Sequence, residues 1–181
     1  MKVLVASDLH GSGFYAKKLK EIINNENPDR IILLGDLYYH GPRNQLSLEY
    51  APMEASKILN SYKDKIVSVR GNCDAEVDQM ISEFEFKENL NLEICGKRFF
   101  FTHGHRYNMD KFPEEEFDIM VYGHFHTGFI KEEYGKIFVN SGSISLPKNG
   151  TKNSYLIIEE QEILLKDIDG NVIEKTTIGE N

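Results

Sequence analysis

The sequence predicts an α/β fold, and three observations predict it. Short apolar runs, each ending in a glycine or a polar residue, recur through the first part of the chain. Between the earliest of them lie segments with the apolar spacing of a helix. After His126 that spacing stops, and short alternating runs follow one another with turn residues between them.

The elements follow in order. Lys2–Ala6 (KVLVA) reads as a strand. Phe14–Asn25 places Phe14, Leu19, Ile22 and Ile23 on one face with lysines between, the pattern of an amphipathic helix, and Asn27-Pro28-Asp29 breaks it. Arg30–Leu34 (RIILL) is a second strand, so a βαβ unit with a parallel pair is expected. Gly41–Tyr50 reads as a loop, and Pro52 suits the first turn of a helix ending near Tyr62. Lys65–Arg70 is a third strand and Glu76–Ile81 a short helix. Asn91–Cys95 and Lys97–Thr102 flank Gly96 as a hairpin. Glu114-Glu115-Glu116, after Pro113, reads as the solvated first turn of a helix, and Asp118–Tyr122 as a strand. Phe129–Glu133, Lys136–Asn140, Ser154–Glu159, Ile163–Asp167 and Val172–Thr177 complete the strands, with turns at Tyr134-Gly135 and Asp169-Gly170-Asn171. This tail is expected to form a second, largely antiparallel sheet, whose exposed strands offer a route to a homo-oligomer.

At 181 residues the chain has the length of one domain with a real core, so residues 1–181 are read as a single domain. No apolar run approaches the roughly 20 residues that cross a bilayer, so no membrane contact is expected. The N-terminus runs directly into Ser7-Asp8-Leu9-His10, a motif that a cleaved leader would remove; none is read, and the cytoplasm is the expected compartment. Two cysteines, Cys73 and Cys95, imply no disulfide framework. With 29 acidic and 21 basic residues the net charge is −8, which argues against nucleic acid as a partner.

Seven candidate metal ligands, with His105 beside them, sit in five short segments, nearly all directly after predicted strands. The segments are Ser7-Asp8-Leu9-His10-Gly11, Gly35-Asp36, Gly71-Asn72, Thr102-His103-Gly104-His105 and Gly123-His124-Phe125-His126, and they hold five of the six histidines. Any one of these residues alone would read as a cap, a turn or a surface group; the set does not. Ligands at the carboxyl ends of parallel strands follow a general rule for open α/β sheets. In an extended chain Asp8 and His10 would share one side, and His124 and His126 would repeat that geometry. Asp36 is placed to bridge two ions with its two oxygens. Asp8, His10, Asp36, Asn72, His103, His124 and His126 thus suit two divalent metals, a chemistry that points to hydrolysis of a phosphate ester. Mixed oxygen and nitrogen donors suit manganese, with nickel, cobalt, iron or zinc as alternatives.

The same residues carry a resemblance. Asp-x-His, Gly-Asp, Gly-Asn, Thr-His-Gly-His and Gly-His-x-His in this order resemble the calcineurin-like metallophosphoesterase superfamily. His40-Gly41-Pro42-Arg43-Asn44, Val69-Arg70-Gly71-Asn72-Cys73-Asp74 and Asn140-Ser141-Gly142-Ser143 are similar to its small bacterial YfcE-type phosphodiesterases. The resemblance runs from Met1 to about Lys148. It implies a four-layer α/β/β/α sandwich of two mixed β-sheets flanked by helices. It also implies one metal on Asp8, His10, Asp36 and His126, a second on Asp36, Asn72, His103 and His124, and hydrolysis of small phosphodiesters. A non-catalytic, protein-binding scaffold on the same fold is the alternative, since one branch of the superfamily has taken that course.

The chain departs from the superfamily at Cys73, where most members carry a histidine thought to protonate the leaving group. A thiol is a poor general acid at neutral pH, so esters with good leaving groups are favoured. Cys73 as a small core residue is the other reading. His105 reads as a proton donor or supporting group at the site, or as a surface histidine. Arg43 reads as a bidentate phosphate ligand, or as an arginine that holds its loop. Ser141 and Ser143 are expected to shape a turn near the metals.

Overall fold

The computed structural model describes residues 1–179. In chain order the elements are β1 (Val3–Ala6), α1 (Gly13–Glu26), β2 (Arg30–Leu33), α2 (Pro52–Asn60), β3 (Ile66–Val69), α3 (Glu76–Ile81), β4 (Phe86–Lys87), β5 (Leu90–Ile94), β6 (Lys97–Phe101), β7 (Ile119–Tyr122), β8 (Phe129–Glu133), β9 (Lys136–Asn140), β10 (Ser154–Glu159), β11 (Glu162–Asp167) and β12 (Val172–Thr177). They form two mixed sheets. One has seven strands in the order β12-β11-β10-β1-β2-β3-β4, and the other has five in the order β5-β6-β7-β9-β8.

The apolar pattern explains how the layers meet. β1 is buried on both faces. Leu4 points with Ile31 and Leu33 toward Ala16, Leu19 and Ile23 of α1 and Leu59 of α2. Val3 and Val5 point with Ile32 and Val69 toward Phe99, Phe101, Ile119, Val121 and Val139 of the second sheet. A strand buried on both faces needs near-continuous apolar sequence, which VLVA and RIIL supply. The outer face of the five-stranded sheet buries Phe100, Met120, Tyr122 and Phe138. Its cover is the irregular stretch 104–117, where Tyr107, Phe112 and Phe117 pack ring against ring on Phe100 and Phe138. The four layers are therefore helices, two sheets and an aromatic loop.

Two expectations need correction. Glu114-Glu115-Glu116 starts no helix; the segment bends, and Glu116 pairs with Arg98 on β6. The tail does not form a sheet of its own. β8 and β9 join the five-stranded sheet, while β10–β12 cross back and extend the first sheet, with β10 antiparallel to β1. The reason is burial. Ser154–Ile158 is buried at every position, so β10 needs cover on both faces, which only the middle of a layered sheet supplies. β12 carries the exposed edge, studded with Glu174 and Lys175.

Candidate metal centre

Every predicted ligand lies at or just past a strand's carboxyl end, and the two sheets bring these ends together. Asp8 and His10 follow β1, Asp36 follows β2, Asn72 follows β3, His103 follows β6, and His124 and His126 follow β7. The predicted donors fall into two groups, and a further set of His10, Asp36 and Cys73 shares a residue with each. Ligand atoms of Asp8, His10 and His126 lie within 4.8 Å of one another, and so do those of Asp36, His103 and His124. His124 and His126 thus belong to different groups, contrary to the extended-chain reading. Their backbones explain this. Asp8, His10, Asp36, His124 and His126 all have φ between 49° and 65°, so these segments are left-handed kinks rather than extended strand.

The hydrogen bonds leave the inward-facing atoms bare. His10, His103 and His126 each turn Nδ1 to a backbone carbonyl, of Tyr39, Leu34 and Leu146, at 2.7, 2.7 and 2.6 Å. A carbonyl only accepts, so each Nδ1 carries a hydrogen, and Nε2 is the atom turned into the site, a lone pair whenever the ring is neutral. Yet His10 Nε2 and His126 Nε2 face each other at 3.2 Å. Asp8 Oδ1, buried and without a hydrogen-bond partner, lies 3.6 and 3.3 Å from them. The other oxygen, Oδ2, accepts from Ser7 Oγ and His124 N. In the second group His103 Nε2 lies 3.1 Å from Asn72 Oδ1, 3.2 Å from His124 Nδ1 and 3.4 Å from Asp36 Oδ2. In the first group, where Asp8, His10 and His126 are all buried, acceptor atoms this close repel unless a proton or a metal cation lies among them. The donor set fits divalent metals.

Asp36 joins the groups through one atom. Its Oδ1 accepts Cys73 N–H at 2.8 Å, while Oδ2 lies 3.4 Å from His103 Nε2 and 3.8 Å from His10 Nε2. The sequence reading had assigned the bridge to both oxygens. The field is strongly negative. Burial lowers the His103 imidazole, but the hydrogen bond to Asp36 and the charges of Asp8 and Asp36 outweigh it and push it up to about 9. Burial and the neighbouring His103 charge pull His124 down to about 4.

A profile of the calcineurin-like phosphoesterase superfamily domain matches residues 1–162. The chain belongs to that superfamily. It is 39% identical over 162 residues to the Escherichia coli protein named Phosphodiesterase YfcE, with 88% of each chain covered. It is 27% identical to the Bacillus subtilis probable metallophosphoesterase YsnB, across 96% of this chain and 95% of that one. The solved structure of the E. coli YfcE phosphoesterase superposes with a TM-score of 0.95 at 33% identity, over 99% of this chain and 100% of that one.

Within this superfamily frame the remaining candidates separate. Cys73 is no core residue. It lines a cleft of about 470 Å³ at the donors, together with Asp36, Asn72, His124, His126 and Arg43. Burial, and then the Asp36 charge, push its thiol up to about 12. Arg43 is exposed at the cleft wall. His105 is exposed and stands on the far side of the second group, its ring 5.4 Å from His103 and 6.2 Å from His124, outside the residues lining the cleft. Burial lowers its imidazole.

Three supporting features escaped the sequence reading. Asp74 is buried and accepts backbone N–H groups of Asp36 and Gly71 at 2.7 Å and of Leu37 at 2.9 Å, tying the Asp36 and Asn72 loops together. Its signal was its place two residues past Asn72. Ser143 shapes the expected turn by accepting Ser145 and Leu146 N–H groups, and beyond that it donates with Ser145 to the Asp8 carbonyl, each at 2.8 Å, which holds the Asp8 kink. Lys148 lines the cleft with no local sequence signal.

Proposed function

We propose that the protein is a metal-dependent phosphodiesterase that hydrolyses small phosphodiesters. One divalent metal is held by Asp8, His10, Asp36 and His126, and the other by Asp36, Asn72, His103 and His124. The observation that carries this reading is Asp36 Oδ2, which faces both groups of bare donors from one buried carboxylate. Resemblance to a phosphodiesterase over 88% of the chain supports the substrate class. Bound dications would supply a water of lowered pKa and neutralise charge on the phosphoryl oxygens.

The chain's own residues do the rest. The three backbone carbonyls lock the ligand imidazoles in one tautomer and orientation, the usual support for metal-binding histidines. Asp74 fixes the position of Asp36 by accepting its backbone N–H. Arg43 lies at the cleft wall, where its fork can bind an anionic group of the substrate. Cys73 offers a thiol where an imidazole would serve better, a poor general acid at neutral pH, so alcohols that leave unaided are favoured.

The test is metal-stripped protein, assayed with manganese, nickel, cobalt, zinc or magnesium on matched aryl monoesters and diesters. Metal-dependent turnover that favours the diester is expected, strongest with manganese. Two bound ions and no turnover of either ester would move the protein to the scaffold alternative.

A further inference from the structure

We infer that Arg43 and Lys148 form an anion subsite beside the metal centre, which takes a second phosphate-type group carried on one alcohol of the diester. The inference rests on the proposed phosphodiesterase function and adds a substrate class to it.

Both side chains line the cleft that Asp36, Asn72, His124 and His126 also line, and both are exposed to an incoming ligand. Among the described residues neither guanidinium nor ammonium has a hydrogen-bond or ion-pair partner. Some cations elsewhere pair with acids, as Lys17 does with Glu49 and Glu54, Arg106 with Glu88 and Lys152 with Asp167, while others on the outer surface, such as Lys20 and Lys57, do not. In the cleft the acids are already engaged. Asp74 directs both oxygens to backbone N–H groups, and Asp36 divides its oxygens between Cys73 N–H and the histidines. The two cations are thus left to face an anion from outside.

Both are also held in place from the site itself. Arg43 stands in a turn closed by Asn44 N–H to the Gly41 carbonyl at 3.3 Å and by the Asn44 amide to the His40 carbonyl at 2.8 Å. Lys148 donates its backbone N–H to the carbonyl of the candidate ligand His126 at 2.9 Å, and its own carbonyl accepts from Thr151 N and Oγ1. A guanidinium fork and an ammonium point charge are the two usual recognition groups for phosphate oxygens. Neither is a metal ligand. The scissile group of a diester carries only one negative charge, and the metal centre already faces it. A second anionic group on the substrate is what this pair is built to meet. The cleft, at about 470 Å³, has room for it.

The test uses manganese-loaded full-length protein and two esters with the same leaving group: p-nitrophenyl phenyl phosphate, and its analogue with a phosphonate on the phenyl ring. Wild-type protein should prefer the phosphonate ester by about tenfold or more in kcat/KM, mostly through KM, the size expected of a charged hydrogen bond. Arg43→Gln and Lys148→Gln should each bring that ratio toward one. Equal kcat/KM for the two esters in wild-type protein, or an unchanged ratio in both variants, overturns the subsite. Absence of turnover on either ester counts against the phosphodiesterase reading instead. The subsite is then decided by calorimetric titration with phenyl phosphate and its phosphonate analogue. Tighter binding of the analogue by wild type alone supports it, and equal binding overturns it.

Discussion

Asp8, His10, Asp36, His124 and His126 hold their backbones in a region that non-glycine residues rarely occupy, at a cost of order 1 kcal/mol or more each. Surrounding bonds maintain them: Ser143 and Ser145 on the Asp8 carbonyl, Asp74 on the Asp36 N–H. Because Asp36 Oδ2 serves both donor groups, Asp36→Ala should abolish turnover and lower the bound metal below two ions per chain, with the circular dichroism spectrum unchanged. Full metal occupancy and wild-type turnover in that variant would sink the shared-ligand assignment. Asp74→Asn keeps the shape but replaces one of two acceptor oxygens by an amide N–H₂, so at least one of the three backbone donors loses its partner. Metal affinity should fall about 10–100-fold, read by titration against a fluorescent chelator; an unchanged affinity would show that Asp74 does not position the ligands. Cys73→His places a group with a mid-range pKa where the thiol sits at about 12, so monoester turnover should rise relative to diester turnover. The ligand residue types were legible in the sequence, because acid, amide and imidazole side chains follow glycine-flanked strand ends. Their left-handed backbones were not, since Asp and His tolerate that conformation without announcing it.

The elements were read within a residue or two wherever an apolar period was complete, as in α1 and the five tail strands. β4, two residues long, is too short to carry a period, and the helix expected at Glu114 failed because charge alone cannot hold a helix without an apolar stripe. α1 begins at Ser12, whose Oγ accepts Tyr15 N–H at 3.1 Å and donates to the Leu48 carbonyl at 2.6 Å. Ser12→Ala should therefore cost about 1–2 kcal/mol in urea unfolding, since it removes a cap and strands a carbonyl. A loss below a few tenths would mean that the loop relaxes to replace both bonds. The end of β3 meets that of β2 so closely that a Cβ on Gly71 would lie 2.1 Å from Asp36 Oδ1. Gly71→Ala should displace Asp36 and depress metal binding more than it depresses thermal stability.

The two sheets meet face to face, and their strand ends converge at one edge, so the metals would act as a cross-link between layers. A ligand present at about a hundredfold over its Kd stabilises the folded state by about 2.7 kcal/mol. For a chain of this size that corresponds to roughly 5–11 °C in Tm. Chelation should lower the melting temperature by that order, and Asp36→Ala should remove the response; an equal melting point with and without metal would contradict a centre that ties the layers together. The α/β class, the strand and helix positions and the donor residues were set locally, by side-chain period and by residue types at strand ends, and so were readable along the chain. Packing alone decided that β10–β12 complete the first sheet and that Lys148 faces Arg43's cleft. These depend on which faces must be covered and on contacts between residues far apart in sequence. No local pattern encodes such contacts, because the free energy of burial belongs to the layer and not to the strand.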